Sequence, residues 1–205
     1  MQTIIHGKLH LIIRPLETAD LPKLKTFCET CKDLGIINNS DFKNLKLDRM
    51  HLPYGQFFIG YDLEKDIIWN IAGVHHLPEI GPNAWRCLFR GAQLPTYTPH
   101  WSMNIFKSGV HFSYFLYLQI EVIQQIDPNA EFYISTNIHN SSGAKSARMN
   151  EIMMPRLEKQ GYWNLTHNEI DLFNTKQNLW RVNVDHYLEQ RKLHFNYELS
   201  SIVLL

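Results

Sequence analysis

The chain has little that marks a specialised class. It carries only three cysteines, Cys28, Cys31 and Cys87, in 205 residues. With no apolar h-region in Met1–His10, a secretion signal is not expected, and three thiols do not make a disulfide scaffold. Reduced thiols and a cytoplasmic location are the expectation. Net charge is absent too, since 20 basic residues offset 20 acidic ones. That removes the long-range field of a nucleic-acid binder. The most apolar run, Val110 to Ile126, is interrupted by His111, Gln119 and Glu121. It reads as a buried helix rather than a membrane span. No G-x-S-x-G, Walker sequence, zinc-type ligand spacing, repeat or low-complexity tract is present.

What the chain does have is 44 % hydrophobic residues, enough for a sizeable core in one domain. We place that core at about residues 9–185, with a C-terminal extension at 186–205. Leu9–Ile13 reads as a strand, and Thr18 to Pro22 as a helix start. Leu24, Phe27, Cys28, Cys31 and Leu34 recur at helical spacing up to Gly35. The Cys28–Cys31 pair falls in the second half of that helix, on its apolar face, where thiols act as small hydrophobes. Gln56–Tyr61 and Ile67–His75 read as a hairpin. Trp85–Gln93 follows as a strand, and Gly91 within it marks a bulge or a close backbone approach.

A loop from Leu94 to Lys107 leads into a long helix, and Glu131 opens another strand. Asn140, Ser141 and Ser142 are N-cap types. Met149, Ile152, Met153 and Leu157 form a stripe that Gly161 ends, giving a helix over 142–160. Pro155 lies inside it, so this helix either kinks or is two helices. Asn168–Phe173 and Leu179–Val184 read as a closing strand pair. The apolar tail, Ile202 to Leu205, adds a strand or packs on a neighbouring chain.

This order does not alternate strictly, which disfavours a doubly wound sheet. Residues 85–137 form one right-handed βαβ unit, and the earlier strands are antiparallel. The fold class is therefore α/β of the α+β type, with a mixed, curved central sheet and helices on both faces.

Two stretches carry a resemblance. Ile13-Arg14-Pro15-Leu16-Glu17-Thr18-Ala19-Asp20-Leu21 is similar to the first strand and helix start of many GNAT N-acetyltransferases. Asn150-x-x-Met153-x-x-x-Leu157-x-x-x-Gly161-Tyr162 resembles a helix motif of the same superfamily. With strand order, the resemblance covers about residues 9–185. It implies acetyl-CoA as acyl donor and a small-molecule or peptide amine as acceptor. It implies that the two parallel strands splay apart, here between Trp85–Gln93 and Phe132–Asn137. The pantetheine arm would lie in that splay. The pyrophosphate would meet Lys107, Ser108, Gly109 and Val110 at a helix start. Gln93 and Asn150 complete the expected cofactor contacts.

Leu157 stands where many members carry a tyrosine acid, and Trp85–Gln93 holds no carboxylate base. Tyr97, His100 and His139 are the nearest titratable groups along the chain. His139, which follows the second parallel strand, is the expected base. The alternative is a catalytically silent GNAT-fold binding or assembly protein. The tail and the exposed edges of a mixed sheet point to a homodimer.

Overall fold

A computed structural model of the chain describes residues 3–5, 8–35, 50–97, 110–138, 149–195 and 202–204. The strands are β1 (Thr3–Ile5), β2 (Lys8–Pro15), β3 (Gly55–Asp62), β4 (Ile67–His76), β5 (Ala84–Gln93), β6 (Glu131–Asn137), β7 (Trp163–Leu172), β8 (Thr175–Val182) and β9 (Ile202–Leu204). The helices are α1 (Leu21–Asp33), α2 (Val110–Gln124), α3 (Met154–Lys159) and α4 (Val184–Phe195). One sheet of nine strands runs in the order β7-β8-β6-β5-β4-β3-β2-β1-β9. Among the described residues only the β5–β6 pair is parallel, and α2 joins its two strands. The mixed sheet and the βαβ unit are as the sequence predicts.

Helices cover both faces, and the strand alternation shows why. Ile12, Phe57 and Ile59 pack with Leu24, Phe27 and Cys31 of α1. Their neighbours Leu11, Ile13 and Phe58 pack with Phe115 and Leu118 of α2. Successive strand residues point to opposite faces, so α1 and α2 lie on opposite sides of the sheet. A third cluster joins Leu116, Ile120 and Ile123 of α2 to Met154 and Leu157 of α3, Tyr187 of α4 and the inner residues of β5, β6 and β8. Leu157 is 5 % exposed and sits within this cluster.

Two local findings differ from a simple reading of the sequence, and a third settles an alternative it left open. A π-helical turn, Met149–Met153, precedes α3, and Pro155 lies in the first turn of α3. Met153, just before α3, is itself in the αR conformation, so the π-helical turn runs straight into α3 and Pro155 sits at their junction. Residues 142–148 lie outside the described residues. The closing hairpin is longer than expected, Trp163–Leu172 with Thr175–Val182. Phe173 and Asn174 between them take φ of 55° and 59°, the left-handed pair of a type I′ turn. The tail does add a strand, since β9 pairs antiparallel with β1. Its apolar residues therefore give no argument for a second copy.

The start of α1 is held by a partly buried ion pair. Arg14 donates two hydrogen bonds of 2.6 Å to Asp20, and the Glu17 backbone N–H donates a third at 2.9 Å. Burial alone would raise the Asp20 pKa, but these donors together hold it below the usual carboxylate value. A lowered native pKa gives stability that is complete above the ordinary Asp range, near ~4, and lost as pH falls through the native value. Arg14→Ala leaves that carboxylate buried without its partner and is expected to cost about 3 kcal/mol at neutral pH. Urea melts at pH 7 and pH 3 check both points: the loss should shrink at the acid end.

Candidate functional site

The parallel pair that begins the site does not stay paired. β5 and β6 are in register at Ala84–Glu131, Trp85–Phe132 and Arg86–Tyr133. Among the described residues the pairing stops there. β6 continues against β8 as far as Asn137, and β5 continues against β4 as far as Gln93. Each strand is thus held on its outer side while the inner edges separate. The β4–β5 ladder slips between Ile71 and Gly73, so β5 passes from Leu88 to Ala92 with extra residues. Gly91 lies in this bulge. A bulge bends its strand and breaks the ladder locally, so it turns β5 away from β6. The loss of pairing falls between the two strands where the resemblance implies a splay.

Two sets of polar side chains flank the opening. On the α2 face, Trp180 Nε1 donates to Thr136 Oγ1 at 3.1 Å, and Thr136 Oγ1 donates to Asn150 Oδ1 at 2.5 Å. Asn178 Nδ2 reaches the same Oδ1 at 3.2 Å, and Asn150 Nδ2 donates to the Asn137 carbonyl at 3.0 Å. Thr136 is 8 % exposed and Trp180 2 %. Asn150 therefore ties the π-helical turn to the end of β6 and to β8. Above β5 on this face, Gln119 of α2 donates from Nε2 to the Leu88 carbonyl at 3.4 Å.

On the α1 face, register builds a transverse row: His75 faces Arg86, Arg86 faces Tyr133, and Tyr133 faces Arg181. Arg86 Nε donates to Ser135 Oγ at 2.7 Å, and its guanidinium carbon lies 4.4 Å from the Phe173 ring centroid. His75 Nδ1 is 3.0 Å from the His76 carbonyl, which can only accept, so that nitrogen carries the proton. Nε2 then offers its lone pair toward Arg86 Nη1, 3.5 Å away. The row ends in the pair Arg181–Glu131 at 2.7 Å, and Glu131 also accepts from Tyr133. Burial, reinforced by that bond, pushes the Tyr133 phenol up to about 12.

The structure distributes the sequence-predicted residues unevenly. Gln93 ends β5, paired with Asn70 at the open end of the splay. Val110 is the first residue of α2. Asn150 stands at the splay, as just described. Lys107, Ser108, Gly109, His100 and His139 lie outside the described residues. Tyr97 is committed elsewhere. It donates to Asp62, accepts from Lys65 Nζ at 3.2 Å and stacks on Trp69 at 5.6 Å. Burial and the Asp62 bond both raise its pKa. It anchors the chain after β5 to the β3–β4 hairpin.

Cys28 and Cys31 sit in the later turns of α1, where burial pushes their thiols up to about 12 and about 11. Neither is poised as a thiolate. His10, Asp62 and Glu64 gather within 4.8 Å. Asp62 is occupied there by two backbone N–H groups, Tyr97 and Lys65, so the group reads as a stabilised turn. The sequence marks Gln119 only as a break in an apolar run, and gives Arg86, Ser135 and His75 no functional role. The available signals were an arginine in a largely apolar strand and a glutamine in the apolar stripe of α2.

No family model matches the chain, and no curated protein matches it by sequence. Solved structures do. The ribosomal-protein-S5-alanine acetyltransferase from Vibrio fischeri superposes with a TM-score of 0.52 over 86 % of this chain and 94 % of its own, at 11 % identity. Apo FdhC, a nucleotide-linked sugar GNAT, does so with a TM-score of 0.53 over 94 % and 96 %, at 10 % identity. Such identities speak for the fold alone. With the splayed parallel pair, the bulge and the strand order, they make this chain a divergent protein of the GNAT fold.

Proposed function

We propose that the protein transfers an acyl group from an acyl-CoA, acetyl-CoA in the first instance, to an amine. The observation that carries this reading is the separation of β5 from β6 beyond Arg86 and Tyr133. Among the described residues the facing edges of the two strands are then no longer paired with each other, and a narrow, amide-bearing chain fits between them. Gln93 and Asn150 lie along that opening. Lys107, Ser108, Gly109 and Val110 lead into α2, where a helix dipole favours a pyrophosphate. The attacking amine nitrogen forms a bond to the thioester carbonyl, the C–S bond breaks, and CoA departs as the thiolate. His139, which follows β6 in the chain, takes the proton from the amine. The acceptor is a small-molecule or peptide amine, met in the cytoplasm.

A second reading has one specific observation in its favour. Leu157, where many GNAT proteins carry a tyrosine, is buried among apolar residues and offers no proton. It describes a GNAT fold kept for binding or assembly. Titration calorimetry with acetyl-CoA tests the first reading, and no binding at millimolar ligand ends it. Gly109→Trp separates the two. Acyl transfer requires the variant to lose roughly tenfold or more in acetyl-CoA affinity, whereas a scaffold is indifferent to it.

A further inference from the structure

Gln119 is completely buried in α2, and its side-chain oxygen has no hydrogen-bond partner among the described residues. Among the described residues of α2, those that pack onto the sheet around it include Phe115, Leu116, Leu118, Ile120 and Ile123. A leucine would fill the same space with no polar atom to satisfy. Native proteins pair the great majority of their buried polar atoms, and an orphaned acceptor costs more than the hydrogen bond it could have made. A buried glutamine that spends one end of its amide and leaves the other idle therefore calls for a donor from outside the chain.

Its position says which donor. The Nε2 end rests on the Leu88 carbonyl, two residues beyond the last pair between β5 and β6. That is the wall of the splay, in the bulged part of β5. Burial keeps bulk water from the oxygen, so its donor is either a single ordered water or a group narrow enough to enter between two strands and displace it. An N–H on a linear amide chain meets that description. This inference rests on the acyl-CoA reading, because the arm of CoA carries two amide groups.

We propose that Gln119 is a binding residue for the amide-bearing arm of the acyl donor, its Oε1 accepting an arm N–H while its Nε2 stays on Leu88. The glutamine then fixes how deep the arm runs into the splay, and so where the thioester stops.

The test uses the full chain, CoA as one probe and the adenosine bisphosphate half of CoA, which lacks the arm, as the other. Gln119→Leu and Gln119→Met both keep the volume and remove the acceptor. Calorimetry is expected to show CoA binding weakened roughly three- to tenfold in both variants, with affinity for the arm-less half unchanged within about twofold. Unchanged CoA affinity in both variants overturns the proposal and leaves the acyl-CoA reading intact. Equal weakening of both probes also overturns it, since that reports a displaced helix. If the unmutated protein binds neither probe, the acyl-CoA reading and this inference fall together.

Discussion

Gly73→Val is expected to destabilise the protein by about 3 kcal/mol, the upper end of the cost of forcing atoms into a packed core. A Cβ at Gly73 would stand 2.5 Å from Phe57 Cγ and 2.7 Å from two further ring carbons. Phe57 is 1 % exposed and packed in the α1-face cluster, so its ring has nowhere to swing. Against a total stability of 5–15 kcal/mol for a typical domain, a loss of about 3 kcal/mol is large. The cause can be isolated with Phe57→Ala as the second arm of a mutant cycle, read by urea unfolding. With the ring gone, the Gly73→Val penalty should fall by more than half. An equal penalty in both backgrounds would show that something other than this clash sets the cost. The damage also reaches the site, because Gly73 is the β4 partner of Leu88, where β5 begins to bulge.

Asn150→Leu is expected to cost about 2–3 kcal/mol, because it strands several partly buried groups at once. The Thr136 hydroxyl, the Asn178 amide and the Asn137 carbonyl each lose a partner. Thr136→Val breaks one of the same bonds, so the double variant should cost clearly less than the sum of the two singles. Chemical denaturation of the four proteins decides it. Strict additivity would mean that the Asn150 amide bonds are not coupled as their geometry says. The outcome matters beyond stability, since Asn150 holds the end of β6, one wall of the splay, in place.

The contrast between these two residues shows what a sequence can and cannot convey. Asn150 stands out in the chain, because it opens a spaced motif that Gly161 and Tyr162 close. Its partners Thr136 and Asn178 do not, since they come from two strands whose alignment is fixed only by pairing. The βαβ unit is legible for local reasons: an apolar strand, a long apolar helix, an Asp-Pro-Asn break and a second strand follow one another. The bulge is announced by Gly91. The π-helical turn is not announced, because Met149, Ile152, Met153 and Leu157 fit an ordinary helical period equally well. Only the placement of Pro155 in a first turn distinguishes the two. The row His75–Arg86–Tyr133–Arg181 was illegible for a different reason. It depends on register across four strands, and a one-residue slip in any of them sends a side chain to the opposite face.

The union of β1 with β9 bears on the order in which the molecule can be completed. Thr3 lies against Leu204, and Ile5 against Ile202. β2 can cover one flank of β1 as soon as both have been translated. The other flank waits until Ile202–Leu204 has been made. Contacts between residues so distant in sequence form late, after the intervening chain has lost its freedom. A nascent chain stalled short of Ile202 therefore presents a bare strand of N–H and C=O groups, a template that neighbouring nascent copies can extend. Closing that seam joins residues 3–5 to residues 202–204, the pairing with the greatest sequence separation among the described strands.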